Sequence, residues 1–155
     1  MQNADEFRLG RAMRTLSPDA KARIEVHFAK FPITVRERAA TEAELREFEA
    51  AFGAIPDDYY RWLLVTCGGG VIGSERVDGI EELAKSHAKF RREFGPPRGW
   101  TLRNAFIIGW DGAGNPFGID QNKGRILVED HDFGGIHEMA ANLEDFILRY
   151  DKRAG

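Results

Sequence analysis

Apolar residues recur every three or four positions through the first 94 residues, which is the spacing of amphipathic helices. The pattern predicts helices over residues 5–16, from Ser17 to an extended linker at 32–38, over 41–53, from Pro56 to Gly68 and over 80–94. Their apolar stripes include Phe7, Leu9, Met13 and Leu16; Ile24, Phe28 and Phe31; Leu45, Phe48 and Phe52; and Tyr59, Tyr60, Trp62, Leu63 and Leu64. The helix that carries the last stripe is very apolar, so we expect it to lie deep in the core.

Residues typical of helix ends support these bounds. Ser17 followed by Pro18 is typical of an N-cap with proline in the first turn. Thr41 and Glu44 form a capping box, in which the Thr hydroxyl accepts from a backbone N–H and the Glu side chain reaches back to the cap. Gly53 then predicts the end of that helix.

The very apolar helix is predicted to begin at Pro56, with Asp57 and Asp58 in its first turn, where carboxylates suit the helix dipole. It is predicted to end in a tight turn at Gly68-Gly69-Gly70. No Gly-Lys-Ser/Thr follows these glycines, so the sequence disfavours a phosphate-binding loop.

Short β-favouring runs predict the strands, and most of these runs lie after residue 104. A strand is predicted at Val71-Ile72, and three more form a meander over residues 105–129. In the first turn of the meander, Gly112, Gly114 and Asn115 are predicted to supply positive φ. The same turn lacks the ligand spacing of a calcium loop.

The order of elements defines the fold class. A last helix is predicted over residues 143–150, with Phe146, Ile147 and Tyr150 facing inward. Helices, then strands, then a helix indicate an α+β fold with a mainly antiparallel sheet. The chain of 155 residues is long enough for one domain with its own core. We expect an N-terminal helical extension over 1–40, the domain over 41–150 and a tail over 151–155.

Composition sets expectations about the compartment. No apolar run reaches the length of a membrane span, and residues 1–14 lack the apolar region of a signal peptide, so a cytoplasmic protein is expected. The single cysteine, Cys67, fits a reducing compartment. Because Cys67 follows Leu63, Leu64 and Val65, we expect a buried small residue and not a catalytic thiol.

The net charge of −3 is unevenly distributed. Residues 1–40 hold eight Lys or Arg against five Asp or Glu, whereas residues 111–150 hold three against eight. An acidic surface repels nucleic acid and attracts basic partners, but from charge alone the favoured interpretation is ordinary solvated charge. The aromatic residues are not interleaved with a basic stripe, which favours core packing over nucleic-acid stacking.

One cluster has side chains suited to chemistry. Asp130-His131-Asp132, with His137 and Glu138 nearby, offers carboxylate and imidazole groups that suit zinc or manganese, or acid–base work. The His137-Glu138 pair lacks the second histidine of a metalloprotease helix, because Ala141 stands there. No Gly-x-Ser-x-Gly nucleophile elbow occurs. The sequence therefore predicts a polar contact surface here more than an active site.

Several segments follow one another in a distinctive order. They are residues 52–64, Gly68-Gly69-Gly70, Ile107-Ile108-Gly109, Gly112 to Asn115, Ile119-Asp120, residues 126–131 and residues 139–147. This order resembles the SUKH superfamily, which includes fungal cell-wall regulators of the Smi/Knr type and many bacterial immunity proteins. Cys67 departs from the usual Asn before the paired glycines, and Asn142-Leu143 from the usual Ser-Phe.

The resemblance implies a curved, mainly antiparallel sheet flanked by helices, in a non-enzymatic domain that needs no cofactor or metal and binds other proteins. In bacteria the expected partner is a polymorphic toxin, often a nuclease or deaminase. The alternatives are a regulatory scaffold or, from the residues alone, a metal-dependent hydrolase. No nucleic-acid or membrane partner is expected, and the oligomeric state is open. The predicted partner-binding residues are Tyr59, Glu129, Asp130, His131, Asp132 and Phe133. For Tyr59, core packing is the equal alternative.

Overall fold

A computed structural model describes residues 17–32, 37–97 and 99–149. The helix predicted over residues 5–16 and the inward-facing Tyr150 lie outside these ranges. The helices of the described part are α1 (Pro18–Ala29), α2 (Glu42–Phe52), α3 (Asp58–Thr66), α4 (Ile80–Glu93) and α5 (Leu143–Leu148). None of them is long and apolar enough to cross a membrane.

The helix starts are set by side-chain caps. The Ser17 hydroxyl accepts from the Ala20 N–H at 3.1 Å, and both bonds of the Thr41–Glu44 capping box form, so both predicted caps are confirmed. The predicted start of α3 at Pro56 is wrong by two residues. The Asp57 carboxylate accepts from the Tyr60 N–H at 3.1 Å, which makes Asp57 the N-cap and starts the helix after it.

The strands of the described part form two antiparallel sheets. β1 (Gly70–Ile72) and β2 (Glu75–Val77) form a hairpin, and β3 (Ala105–Trp110), β4 (Pro116–Asp120), β5 (Ile126–Glu129) and β6 (Ile136–Ala140) form a sheet in sequential order. The predicted α+β class with a mainly antiparallel sheet is confirmed. The strands β2 and β6 were not predicted.

The predicted conformation of the β3–β4 turn is partly wrong. Gly114 has φ 85°, but neither Gly112 nor Asn115 has positive φ. Asn115 is buried, and its side chain makes hydrogen bonds that hold neighbouring loops together. Its role is therefore to connect loops and not to relieve a strained backbone.

One core joins the helices to the four-stranded sheet. Ile24 and Phe28 of α1 lie in the same buried cluster as Phe117 of β4 and Phe146 of α5. The turn at Gly68-Gly69-Gly70 runs close to its neighbours, because a Cβ on Gly68 would lie 2.4 Å from the carbonyl oxygens of residues 37 and 38. This close approach ties α3 to the segment before α2.

Candidate protein-binding surface

The strands β5 and β6 and the loop between them form a hairpin, residues 126–140, that we call the hairpin arm. Its inner end is packed, since Ile126 and Ala140 are buried opposite each other. Its outer part is exposed from residue 131 to residue 138. Phe133, at the tip, is 90% exposed, and Ile136 of β6 is 44% exposed. The arm thus presents apolar side chains away from the core.

The Asp130 carboxylate fixes the backbone of the arm tip. Its Oδ1 accepts from the N–H of Asp132 at 2.8 Å and from that of Phe133 at 3.1 Å. These donors lower the pKa of Asp130, with the Phe133 N–H as the largest cause, because they favour the charged form. The Asp130 N–H donates to the Gly135 carbonyl at 3.0 Å and closes the loop. Phe133 is therefore exposed on a loop with internal hydrogen bonds.

The arm tip is also bonded to the β3–β4 turn through Asn115. The Asn115 Oδ1 accepts from the His131 N–H at 3.1 Å and lies within hydrogen-bond distance of His131 Nδ1. The Asn115 Nδ2 donates to Asp111 Oδ2 at 3.1 Å. The other oxygen of Asp111 accepts from the N–H groups of Ala113 and Asn115. Two loops that are distant in sequence therefore form one connected unit.

A groove of about 810 Å³ lies between this unit and the segment that follows α4. Its lining includes Glu93, Phe94 and Trp100 on one side and Asp130 and His131 on the other. The Trp100 indole N–H donates to the Glu93 carboxylate at 3.0 Å, and the Trp100 ring meets the His131 ring edge-on, with centroids 5.8 Å apart. The groove thus combines aromatic and acidic groups.

Glu129 was predicted to contact a partner, but the structure places it inside. It is 9% exposed, and its carboxylate accepts from the Thr101 N–H at 2.8 Å and the Leu102 N–H at 2.6 Å. The Thr101 hydroxyl also donates to it, at 3.1 Å. Because these bonds satisfy a buried carboxylate, Glu129 holds the segment before β3 onto β5.

Tyr59 likewise belongs to the core, which decides between its two predicted roles. It is 9% exposed, and its ring meets Trp62 edge-on with centroids 6.1 Å apart. Burial raises the pKa of its hydroxyl, which has no hydrogen-bond partner among the described residues. Tyr59 is therefore not an exposed aromatic anchor.

The structure brings together Asp130, His131, Asp132 and Phe133 at the arm tip. Their role in binding stays a prediction. Sequence reasoning did not find the contributions of Asn115, Glu93 and Trp100. Trp100 follows the Gly95-Pro96-Pro97 helix breaker. An aromatic residue in a connection between a helix and a strand was the available signal.

The polar side chains of the arm tip are bonded to their own loop and to the β3–β4 turn. In the described ranges, no group of three or more His, Cys, Asp or Glu is arranged to hold a metal ion. The Asp130 carboxylate is bonded to the backbone, and His131 to Asn115. Elsewhere, burial raises the pKa of Cys67 to about 12, which favours a protonated thiol at neutral pH.

The fold is a small α+β domain with an exposed hairpin arm that carries polar and aromatic side chains. A model of the SMI1/KNR4 family (SUKH-1) matches residues 39–149. The match spans more than half of the chain, and the chain therefore belongs to this family, which confirms the resemblance. A comparison with curated proteins gave no match.

Proposed function

We propose that this chain is a non-enzymatic immunity protein, which binds a toxin domain of nuclease or deaminase type inside the producing cell and blocks it. The family supports a protein-binding role of the immunity or Smi/Knr type. The observation that carries the proposal further is the exposure of Phe133 on a loop closed by its own hydrogen bonds. A large apolar side chain in this setting suits burial against another protein.

Phe133 would supply affinity because it is a rigid aromatic side chain that needs little further ordering. Aromatic anchors of this kind carry a large share of the binding energy in many interfaces. The loop around it is held by Asp130 and Asn115, so binding does not have to order the backbone.

Asp130 and Asp132 would determine the rate of encounter. The pKa of Asp130 is lowered by its backbone donors, so the carboxylate stays ionised at neutral pH. Asp132 is exposed beside it. A nuclease surface is basic because it binds phosphates, and acidic groups facing it accelerate association.

The test begins with capture of partners from the source organism on this chain, and the captured protein is then assayed as a toxin. Immunity requires that the partner arrests growth when expressed alone and that this chain restores growth. A partner without toxicity, or growth arrest that this chain does not relieve, would contradict the proposal and favour a regulatory scaffold.

Two variants with matched controls assign the surface. We expect Phe133→Ala to weaken binding at least tenfold, whereas Val26→Ala, at an apolar position of α1 that is 50% exposed, leaves it unchanged. Asp132→Lys should slow association and alter its salt dependence, whereas Glu47→Lys on the exposed part of α2 should have less effect. Equal effects of variant and control would contradict the assignment to the arm.

A further inference from the structure

The strand β6 is the outer strand of the four-stranded sheet, and in the described part of the chain it pairs with β5 alone. We propose that its free edge binds an extended segment of the partner protein as an additional antiparallel or parallel strand, and that this segment carries basic side chains. The proposal rests on the proposed function, because it names how the partner of this domain is held.

The hydrogen bonds of the arm show which backbone groups are free. The Asp130 N–H donates to the Gly135 carbonyl, and the pairs that follow are Glu129 with Ile136 and Val128 with His137. Hydrogen-bonded and non-bonded pairs alternate in an antiparallel ladder. His137 is therefore bonded to β5, and the N–H and C=O of Ile136 and Glu138 point to the open edge.

One end of this edge is protected and the other is not. Near Ala140 the register shifts at a bulge, and the Arg149 guanidinium donates to the Met139 carbonyl. Bulges and covering side chains are devices that prevent strand pairing. The described residues place no such cover over Ile136 to Glu138, where Ile136 is exposed and the outward N–H and C=O groups can pair with a strand.

The charge around the open edge defines the occupant. Asp130 and Asp132 lie on the loop that leads into β6, and Glu138 lies on β6 itself. Arg125 forms an ion pair with Glu138 at 3.8 Å, and the His131 ring lies 3.3 Å from the Asp132 carboxylate, so three carboxylates face one permanent cation. A segment with Lys or Arg at alternate positions would place cations beside these carboxylates and apolar side chains beside Phe133 or Ile136. A second copy of this chain would bring like charges together in the register that places Glu138 opposite itself, so a dimer through β6 is treated as an outcome of the test.

The probe is a synthetic peptide, acetyl-Lys-Val-Arg-Val-Lys-Val-amide, added to the full chain at about 1 mM, where a weak single-site interaction is measurable. Amide hydrogen exchange is followed by NMR. We expect the exchange of the Ile136 and Glu138 amides to slow at least about twofold, which is the slowing that half occupancy gives, while the His137 amide, which is already bonded to β5, changes little. The same peptide N-methylated at alternate residues should give no protection.

A variant of the chain provides the second test. Ile136→Pro removes an outward N–H and leaves the ladder to β5 in place, so it should fold and lose peptide binding at least tenfold. Ile136→Val keeps the N–H and an apolar side chain and should bind within about twofold of the unmodified chain. If the proline variant does not fold, the N-methylated peptide still tests the edge.

The edge proposal is overturned if the peptide fails to protect Ile136 and Glu138, if the N-methylated peptide protects them as well, or if sedimentation shows a dimer of the unmodified chain that Ile136→Pro abolishes. It is also overturned if a captured toxin binds Ile136→Pro as tightly as the unmodified chain, and in that case the immunity proposal stands. Conversely, protection by the peptide together with a partner that is not toxic supports the edge and contradicts immunity.

Discussion

Two regions of this domain contain the same three residue types in opposite surroundings. Asp78, His87 and Phe106 are buried between α4 and the sheet. Asp130, His131 and Phe133 lie at the arm tip, where His131 and Phe133 are exposed. In the sequence only the second set lies close together, and it alone was predicted to suit chemistry or binding. The comparison shows that hydrogen-bond partners and burial determine the role of such groups.

The inner set is made compatible with burial by hydrogen bonds and by pKa shifts that favour the neutral forms. Burial raises the pKa of Asp78 to about 7, although Ser86 donates to its carboxylate and lowers the shift. Burial also lowers the pKa of His87 to about 4, and its Nε2 lies 2.8 Å from the Ile107 carbonyl. At the arm tip the aspartate pKa shifts in the opposite direction from that of Asp78, since backbone donors lower the pKa of Asp130.

The largest expected difference between the regions is in stability. Phe106→Ala removes a buried ring whose centroid lies 4.5 Å from that of the His87 ring. The variant should lower the free energy of unfolding by about 3–5 kcal/mol. Phe133→Ala should change it by no more than about 0.5 kcal/mol, because the ring is exposed. Urea denaturation measures both, and a loss at Phe133 as large as that at Phe106 would remove the distinction.

The second prediction concerns pH. The pKa of Asp78 is raised from 3.8 to about 7, so folding favours its neutral form, and its contribution to stability is lost as the pH rises from about 4 through 7. The loss amounts to at most about 4 kcal/mol. Asp78→Asn should flatten this part of the profile. His87 acts in the opposite sense, because its contribution is lost as the pH falls from about 6.5 to 4.

The free energy of unfolding, measured from pH 4 to 8 for the unmodified chain and for Asp78→Asn, separates the contribution of Asp78 from that of His87. The unmodified chain should lose stability relative to Asp78→Asn as the pH rises. A constant difference between the two chains would mean that Asp78 is solvated in the folded state and that the inner region does not enforce neutrality.

A smaller effect is expected where the arm meets the core. Asn115→Ala removes the partner of the His131 N–H and of the Asp111 carboxylate, and it should cost about 1–3 kcal/mol of the free energy of unfolding. The variant should also speed exchange of the His131 amide. If stability falls without faster exchange at His131, Asn115 supports the β3–β4 turn alone.

The smallest change in global stability is expected at Asp130. Asp130→Ala removes the acceptor for the Asp132 and Phe133 N–H groups, so both amides should exchange several times faster while the unfolding midpoint hardly moves. Asp130→Asn keeps an acceptor oxygen and serves as the matched control. Equal exchange in the two variants would show that the charge of Asp130, and not its geometry, orders the tip.

The features predicted best from sequence are those determined by neighbours in the chain. The Ser17 and Thr41 caps and the strand meander depend on contacts within a few residues, and they are found where the pattern indicates. The strand β6 was missed because Ile136-His137-Glu138-Met139-Ala140 lacks a regular alternation and contains residues that are common in helices. Its strand conformation comes from pairing with β5.

The errors at the candidate site have a common cause, which is distance along the chain. Glu129 was placed on the surface because its sequence neighbours are acidic and polar. Its actual partners are Thr101 and Leu102, whose N–H groups lie 28 and 27 residues earlier. The link between Asn115 and His131 spans 16 residues. A pattern read along the chain contains no information about such contacts.

The arm separates the side chains that hold its shape from those that face outward. Asp130 and Asn115 fix the loop, whereas Phe133 and Ile136 extend from it into solvent. Replacing an exposed side chain of this kind costs little folding free energy. Mutation can therefore diversify positions 133 and 136 while the domain persists, and a lineage of such domains can acquire new partners without first acquiring a new fold.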